Sequence, residues 1–294
     1  MNREIESYMK YLEEVKSASK NTLMSYHADL TKFEHFLHEH QIMSFDKISE
    51  TAVNTYILDL EKQGLAPATV ARNIASIKSF IFFLIKTGKM VFDPTDRVKP
   101  PKVERKIPDT LSVEEMNNLL EQPDRLTKKG LRDSAMLELL YATGIRVSEL
   151  ISLKVQDVNL KNRFLLCEGE QKSRLVPFGK VAAVVLENYM INGRKEFKDA
   201  EVTDILFLNI NGKPMSRQGF WKIIKSYAKK AEIPHDITPQ LLRHTFATHL
   251  VNNGADLHCI QELLGHSDIS TTQIYSQAKD QKVLEMYMNA HPRA

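Results

Sequence analysis

Apolar residues in the first part of the chain recur at intervals of three and four, the period of a helix with one buried face. Leu23, Tyr26, Leu30, Phe33 and Leu37 form one stripe, with Ser19 placed ahead of it as a cap. Val53, Ile57 and Leu60 form another, which Gly64 ends. Val70, Ile74, Ile77, Ile81 and Leu84 form a third; it follows Pro67, tolerated in a first helical turn, and stops near Gly88. The first ~90 residues therefore read as four helices in a small bundle.

Residues 93–109 interrupt the pattern. Pro94, Pro100, Pro101 and Pro108 prevent a helix and favour an extended chain. Helical periodicity resumes after Thr110, where Ser112 and Glu115 have capping-box spacing. A helix from Leu131 to Ala142 is closed by Gly144. RFLLC (163–167), a polar turn EGEQK and SRLVP (173–177) predict a β-hairpin. Helical patterns follow at 220–231 and 241–252, and the tail at 279–289 carries Val283, Leu284, Tyr287 and Met288 on one face. The expected fold is mainly α with a small β-hairpin or sheet, in two domains: 1–95, a basic proline-rich linker 96–109, and 110–294.

Composition narrows the class. Of the 294 residues, 43% are hydrophobic and 26% charged, enough for a core without metal or disulfide staples. Cys167 and Cys259 form no cluster and suit a reducing compartment. The N-terminus, MNREIESYMKYLEE, alternates charge with apolar residues and has no signal-like apolar region. The apolar stretch 74–85 is broken by Ser76, Lys78 and Ser79, too short and polar for a bilayer span. The expectation is a cytoplasmic protein with no membrane partner. A net charge of +3 permits nucleic-acid binding without demanding it. The charge is concentrated in the linker, where Arg97, Lys99, Lys102, Arg105 and Lys106 face only Glu104. Such a segment can lie along a phosphate backbone or serve as a solvated spacer.

No phosphate-binding glycine loop, HExxH, CxxC or Gly-x-Ser-x-Gly elbow is present, so no cofactor or metal is expected. Candidate chemistry lies in residues 238–275, which hold Arg243, His244, His249, His258, His266 and Tyr275. They read as a helix, a turn at Gly254, a second helix to residue 264, a turn at Gly265, and a short element ending at Tyr275. Spacing alone leaves open a histidine-rich helical surface with an ordinary tyrosine. A zinc site has no HxxxH or cysteine cluster to support it.

The segment LLRHTFATHL followed by GADLHCIQELLGHSDISTTQIY closely resembles the signature of the tyrosine recombinase/integrase family, especially its Xer-type bacterial members. GIRVSEL (144–150) resembles the family's upstream motif bearing its first catalytic arginine. Motif order and two-domain layout extend the likeness over nearly the whole chain. The resemblance implies a two-domain DNA clamp, with a core-binding helical domain ahead of a catalytic domain. Tyr275 would then be the nucleophile, forming a 3′-phosphotyrosyl link and freeing a 5′-hydroxyl, and Arg146, Arg243 and His266 its partners. Two guanidiniums can hold both non-bridging oxygens of a phosphate through rigid forks, where charge builds during attack. The ester keeps the bond energy, so rejoining needs neither nucleotide nor metal. The resemblance also implies a homo- or hetero-tetramer on two double-stranded DNA recombination sites, with the C-terminal helix exchanged between protomers; the apolar face of Val283, Leu284 and Tyr287 fits such docking and equally fits folding back in cis.

Two departures stand out. The family usually has His-x-x-Arg where this chain has Gln240-Leu241-Leu242-Arg243. Glutamine can donate a hydrogen bond to a phosphate oxygen but cannot carry a proton. The family also places its catalytic lysine early in a Gly-Lys hairpin turn; here the turn is Cys167-Glu168-Gly169-Glu170-Gln171-Lys172. Lys172 is its one lysine, either the acid that protonates the leaving 5′-oxygen or a phosphate-contacting surface residue. The functional expectation is a site-specific recombinase for chromosome or plasmid dimer resolution. The alternatives are a mobile-element integrase and a catalytically weakened DNA-binding accessory protein.

Overall fold

The computed structural model describes residues 1–102, 109–168, 173–265 and 277–294, with side chains in the last stretch from residue 284 on. The chain divides into two compact units, 1–106 and 107–294.

The first unit packs four helices, α1 (Asn2–Glu14), α2 (Lys20–Glu39), α3 (Glu50–Lys62) and α4 (Pro67–Lys86), with a short 3-10 turn at Phe45–Lys47. The expected caps are in place. Ser19 accepts the Thr22 N–H and Pro67 opens α4; α3 has a further cap that the sequence pattern had not marked, Ser49, which accepts the Ala52 N–H. Gly64 and Gly88 take the left-handed conformation just past α3 and α4. Phe33, Tyr56, Phe80 and Tyr8 are fully buried, and Phe45 meets Phe80 edge-on at 4.8 Å. Among the described helices, only α4 is long and apolar enough to cross a membrane, and half of that stretch is buried inside the bundle. Thr95 and Val98 are also buried, Val98 within the apolar core of this unit, while Arg97, Lys99 and Lys102 are exposed. Arg105 and Lys106 lie outside the described residues.

The second unit is organised around α6 (Lys128–Thr143), buried on almost every face from Arg132 onward. Before it lies α5 (Val113–Glu121), whose Ser112–Glu115 capping box is formed. After it come α7 (Val147–Ser152) and a three-stranded antiparallel sheet, β1 (Val158–Asn159), β2 (Phe164–Cys167) and β3 (Arg174–Pro177). The expected hairpin is thus two strands of three; β1 is two residues long and leaves no alternation to read. The register pairs Cys167 with Arg174 and Leu165 with Val176. Leu165, Cys167 and Val176 face the core, leaving Leu166 and Leu175 paired on the outside. The remaining α-helices among the described residues are α8 (Lys180–Asn188), α9 (Arg217–Lys230), α10 (Pro239–Asn252), α11 (Leu257–Leu264) and α12 (Gln277–Ala290).

The C-terminal end packs on its own unit. Tyr287 is fully buried and its hydroxyl accepts the Gly179 N–H at 3.1 Å. His291 stacks on Tyr287 with ring centres 5.0 Å apart, and Arg293 holds Glu138 through two bonds of 2.7 and 2.9 Å. Of the two uses open to the apolar tail face, docking on a neighbouring protomer or folding back in cis, this single chain shows the second for Tyr287. Val283 lies outside the described side chains.

Candidate active site

An α-helix ends with carbonyls that no later N–H can reach, and its dipole makes that end partly negative. The end of α11 is such a place. Gly265 turns it off in the left-handed conformation, φ +64°, and its N–H bonds back to Gln261 and Glu262. The next three carbonyls are met by guanidiniums from three different elements. Arg174 on β3 donates Nε to Leu263 O at 3.0 Å. Arg243 on α10 donates to Leu264 O, and Arg146 at the start of α7 donates to Gly265 O at 3.3 Å.

Each arginine has a second anchor. Arg243 also donates to Gly144 O, the glycine that closes α6 with φ +59°. An added Cβ at Gly144 would sit 2.3 Å from the Phe246 ring, so side-chain room and backbone conformation both select glycine. Arg146 lies three residues ahead of Glu149, whose carboxylate accepts the Arg146 backbone N–H at 2.6 Å. The Arg146 side chain reaches Glu149 only loosely, at 3.4 Å, and is 48% exposed. Arg174 instead grips Glu149 with both ends of its fork, at 2.7 and 3.0 Å, in a nearly buried pair.

The electrostatics follow. Burial would raise the Glu149 pKa, but the bonds from Arg174 and from the Arg146 N–H, with both guanidinium charges, hold it below the usual range. Burial first, and then the charge of Arg146, bring Arg243 down to about 10, so it stays cationic at neutral pH. Among the described residues, one carboxylate, Glu149, thus stands with three guanidiniums, a balance suited to an anion. Burial lifts the nearby Cys167 thiol to about 12, which makes it inert.

Gln240 lies exposed in the first turn of α10, one turn before Arg243. That helix starts with Thr238 accepting the Leu241 N–H and Pro239 in the first turn. His266, Tyr275 and Lys172 lie outside the described residues; the chain reaches His266 directly after the helix end that gathers the arginines. Of the other histidines in the segment, His249 is structural, buried between the Tyr141 hydroxyl at 2.7 Å and Leu111 O at 2.9 Å. His258 sits at the surface beside Glu262. Tyr8, Tyr56, Tyr141, Tyr189 and Tyr287 are core residues, and burial raises the pKa of each, to about 12 in Tyr8 and Tyr189. Tyr227 is tied to Asp133 at 3.0 Å. Glu149 and Arg174 were not singled out by sequence reasoning. Glu149 stood inside the GIRVSEL motif, while nothing in SRLVP distinguishes Arg174 from an outward strand residue.

The phage integrase family model matches residues 109–282, and its N-terminal SAM-like domain matches residues 5–88. The chain belongs to the phage integrase family. It is 43% identical over 291 residues to tyrosine recombinase XerD of Staphylococcus haemolyticus (strain JCSC1435), spanning 99% of each chain. Identity to the tyrosine recombinase XerD of Staphylococcus aureus (strain Mu50 / ATCC 700699) is 44% over 291 residues, again 99% of each. Among solved structures, the XerA recombinase aligns over 100% of this chain and 99% of its own at 28% identity, with a TM-score of 0.51. XerH bound to its difH substrate aligns at 21% identity over 98% of this chain and 82% of its own, TM-score 0.68. At that identity the XerH likeness speaks for the fold. As a family member with these relatives, the chain is a tyrosine site-specific recombinase, and its mainly helical fold with one small sheet is that of the family.

Proposed function

We propose that the chain cleaves and rejoins double-stranded DNA at a specific site, with Tyr275 as nucleophile and Arg146 and Arg243 holding the scissile phosphate. The observation that carries this is the convergence of Arg146 and Arg243 on adjacent carbonyls of one helix end, with His266 next in sequence. The Tyr275 phenol oxygen attacks phosphorus, the bond to the 5′-oxygen breaks, and that oxygen leaves as a hydroxyl after taking a proton. The reverse attack by a 5′-hydroxyl of another strand restores the diester and frees the tyrosine. Charge growing on the non-bridging oxygens meets the two guanidiniums. His266 bonds the phosphate or the phenol, Gln240 contributes a phosphate hydrogen bond, and Lys172 supplies the proton to the leaving oxygen. Arg97, Lys99, Lys102, Arg105 and Lys106 lie along the DNA backbone, from a linker between a DNA-binding domain at about 1–95 and the catalytic domain at about 110–294.

Exchange between two sites calls for four protomers. Helix α12 is the element for their exchange, which requires Tyr287 to leave its own core for the equivalent pocket of a neighbour. The end-to-end likeness to XerD favours resolution of chromosome or plasmid dimers in the cytoplasm over a mobile-element role. Gln240 is the feature that favours a second reading, a weakened accessory protein. A nicked suicide substrate separates the two: a covalent protein–DNA adduct is expected, and it disappears in Tyr275→Phe. No adduct from the unaltered chain overturns the recombinase reading of the site.

A further inference from the structure

We propose that Arg174 is a positioning residue for DNA cleavage, which occupies Glu149 so that Arg146 stays available to the scissile phosphate. The proposal rests on the reading of Arg146 and Arg243 as the phosphate clamp.

Glu149 is a buried carboxylate with two cationic suitors among the described residues. Arg174 binds it bidentately at 2.7 and 3.0 Å, with 9% of the Arg174 side chain exposed. Arg146 touches it at 3.4 Å with 48% of its side chain exposed. The two arginines are thus divided by geometry: one spends its fork on the protein, and the other keeps an open face toward solvent. A buried carboxylate without a full partner is costly, and the nearest cation rotates to satisfy it. Without Arg174 that cation is Arg146, whose backbone N–H already sits on the same carboxylate at 2.6 Å. A tighter Arg146–Glu149 bond would draw the guanidinium from the position where phosphate oxygens must meet it, and a shift of about 1 Å is enough to lower a rate by two orders of magnitude.

Arg174 also fixes the other side of the site. Its Nε holds Leu263 O, one carbonyl before the one Arg243 uses. Its guanidinium fills the space a Cβ would take at Gly265, with atoms at 2.9–3.1 Å. A single side chain therefore ties strand β3, helix α7 and the end of α11 together.

The test compares single-turnover cleavage of a nicked suicide substrate with equilibrium DNA binding in Arg174→Ala, Arg174→Lys and Arg174→Ala/Glu149→Gln. Arg174→Ala is expected to bind DNA as the unaltered chain does and to cleave about tenfold to hundredfold more slowly. Arg174→Lys, which keeps the charge but not the fork, should fall between. Removing the carboxylate charge should help, so Arg174→Ala/Glu149→Gln is expected to cleave faster than Arg174→Ala. A purely structural arginine predicts the opposite, because two lost core bonds compound each other. If Arg174→Ala is insoluble, Arg174→Lys with and without Glu149→Gln is read in the same way. An Arg174 variant that cleaves at the unaltered rate, or a double variant no faster than its parent, overturns this proposal while leaving the clamp standing. A chain that forms no adduct before any substitution overturns both.

Discussion

Arg146 and Arg243 donate to neighbouring carbonyls, Gly265 and Leu264, at the end of one helix. The two residues come from separate helices, so neither orients the other directly; the helix end is their shared reference. It has the right polarity, because its unsatisfied carbonyls and the dipole behind them attract cations. This arrangement holds two like charges close together before any phosphate arrives.

Lysine at either position should fail. Arg243 uses two nitrogens on two carbonyls, Gly144 and Leu264, and a single ammonium cannot span both and still face a phosphate. Arg146→Lys and Arg243→Lys are each expected to lower adduct formation by about a hundredfold or more. Adduct yield on the nicked substrate measures this; near-normal yield in either variant would remove that arginine from the clamp.

Gly144→Ala should unfold the site from beneath. The new Cβ would stand 2.3 Å from Phe246 and 3.0 Å from Leu264, at φ +59°. A loss of about 2–3 kcal/mol in urea unfolding is expected from strain and overpacking combined. A midpoint equal to that of the unaltered chain would show that the loop adapts freely.

Acid should loosen the C-terminal end before it reaches the arginine site. Burial lowers the His291 pKa from 6.5 to about 4, and burial also lowers that of His249. A folded pKa below the unfolded one means the folded state prefers the neutral ring. Its contribution is intact above pH 6.5 and is lost as pH falls toward 4, by roughly 3 kcal/mol for His291. Glu149, held below its ordinary range, gives way only at lower pH. Urea unfolding at a series of pH values should show the loss, and His291→Phe should flatten it; an unchanged slope would count against the assignment.

Gln240→His restores a group able to carry a proton at an exposed position one turn from Arg243. The cleavage rate is expected to rise by about tenfold or more, as general acid–base groups contribute at least that much. Neither a faster rate nor tighter binding would mean that this position does not meet the phosphate.

Lys172→Ala should slow cleavage of an ordinary diester. A substrate with a 5′-phosphorothiolate has a leaving group that needs no proton, so it should restore the rate. Persistent loss with the sulfur substrate would assign Lys172 to DNA contact instead.

Much of this protein was determined by sequence order alone. Helix stripes such as Val70 to Leu84, caps at Ser19 and Ser112, and stops at Gly64, Gly88 and Gly144 are local effects, governed by residues within a turn or two. The motifs around Arg146 and Arg243 were legible because they are contiguous strings. Tertiary structure alone decided what those arginines hold. Their acceptors are backbone carbonyls, which every residue carries, so no side-chain pattern announces them. Arg174 looked like one more polar strand residue until the fold brought Glu149 within reach of its guanidinium. The tail face, open in the sequence to a neighbour or to its own chain, buries Tyr287 beside Gly179 of the same chain. Apolar periodicity states that a face must be covered; only the packed chain shows what covers it.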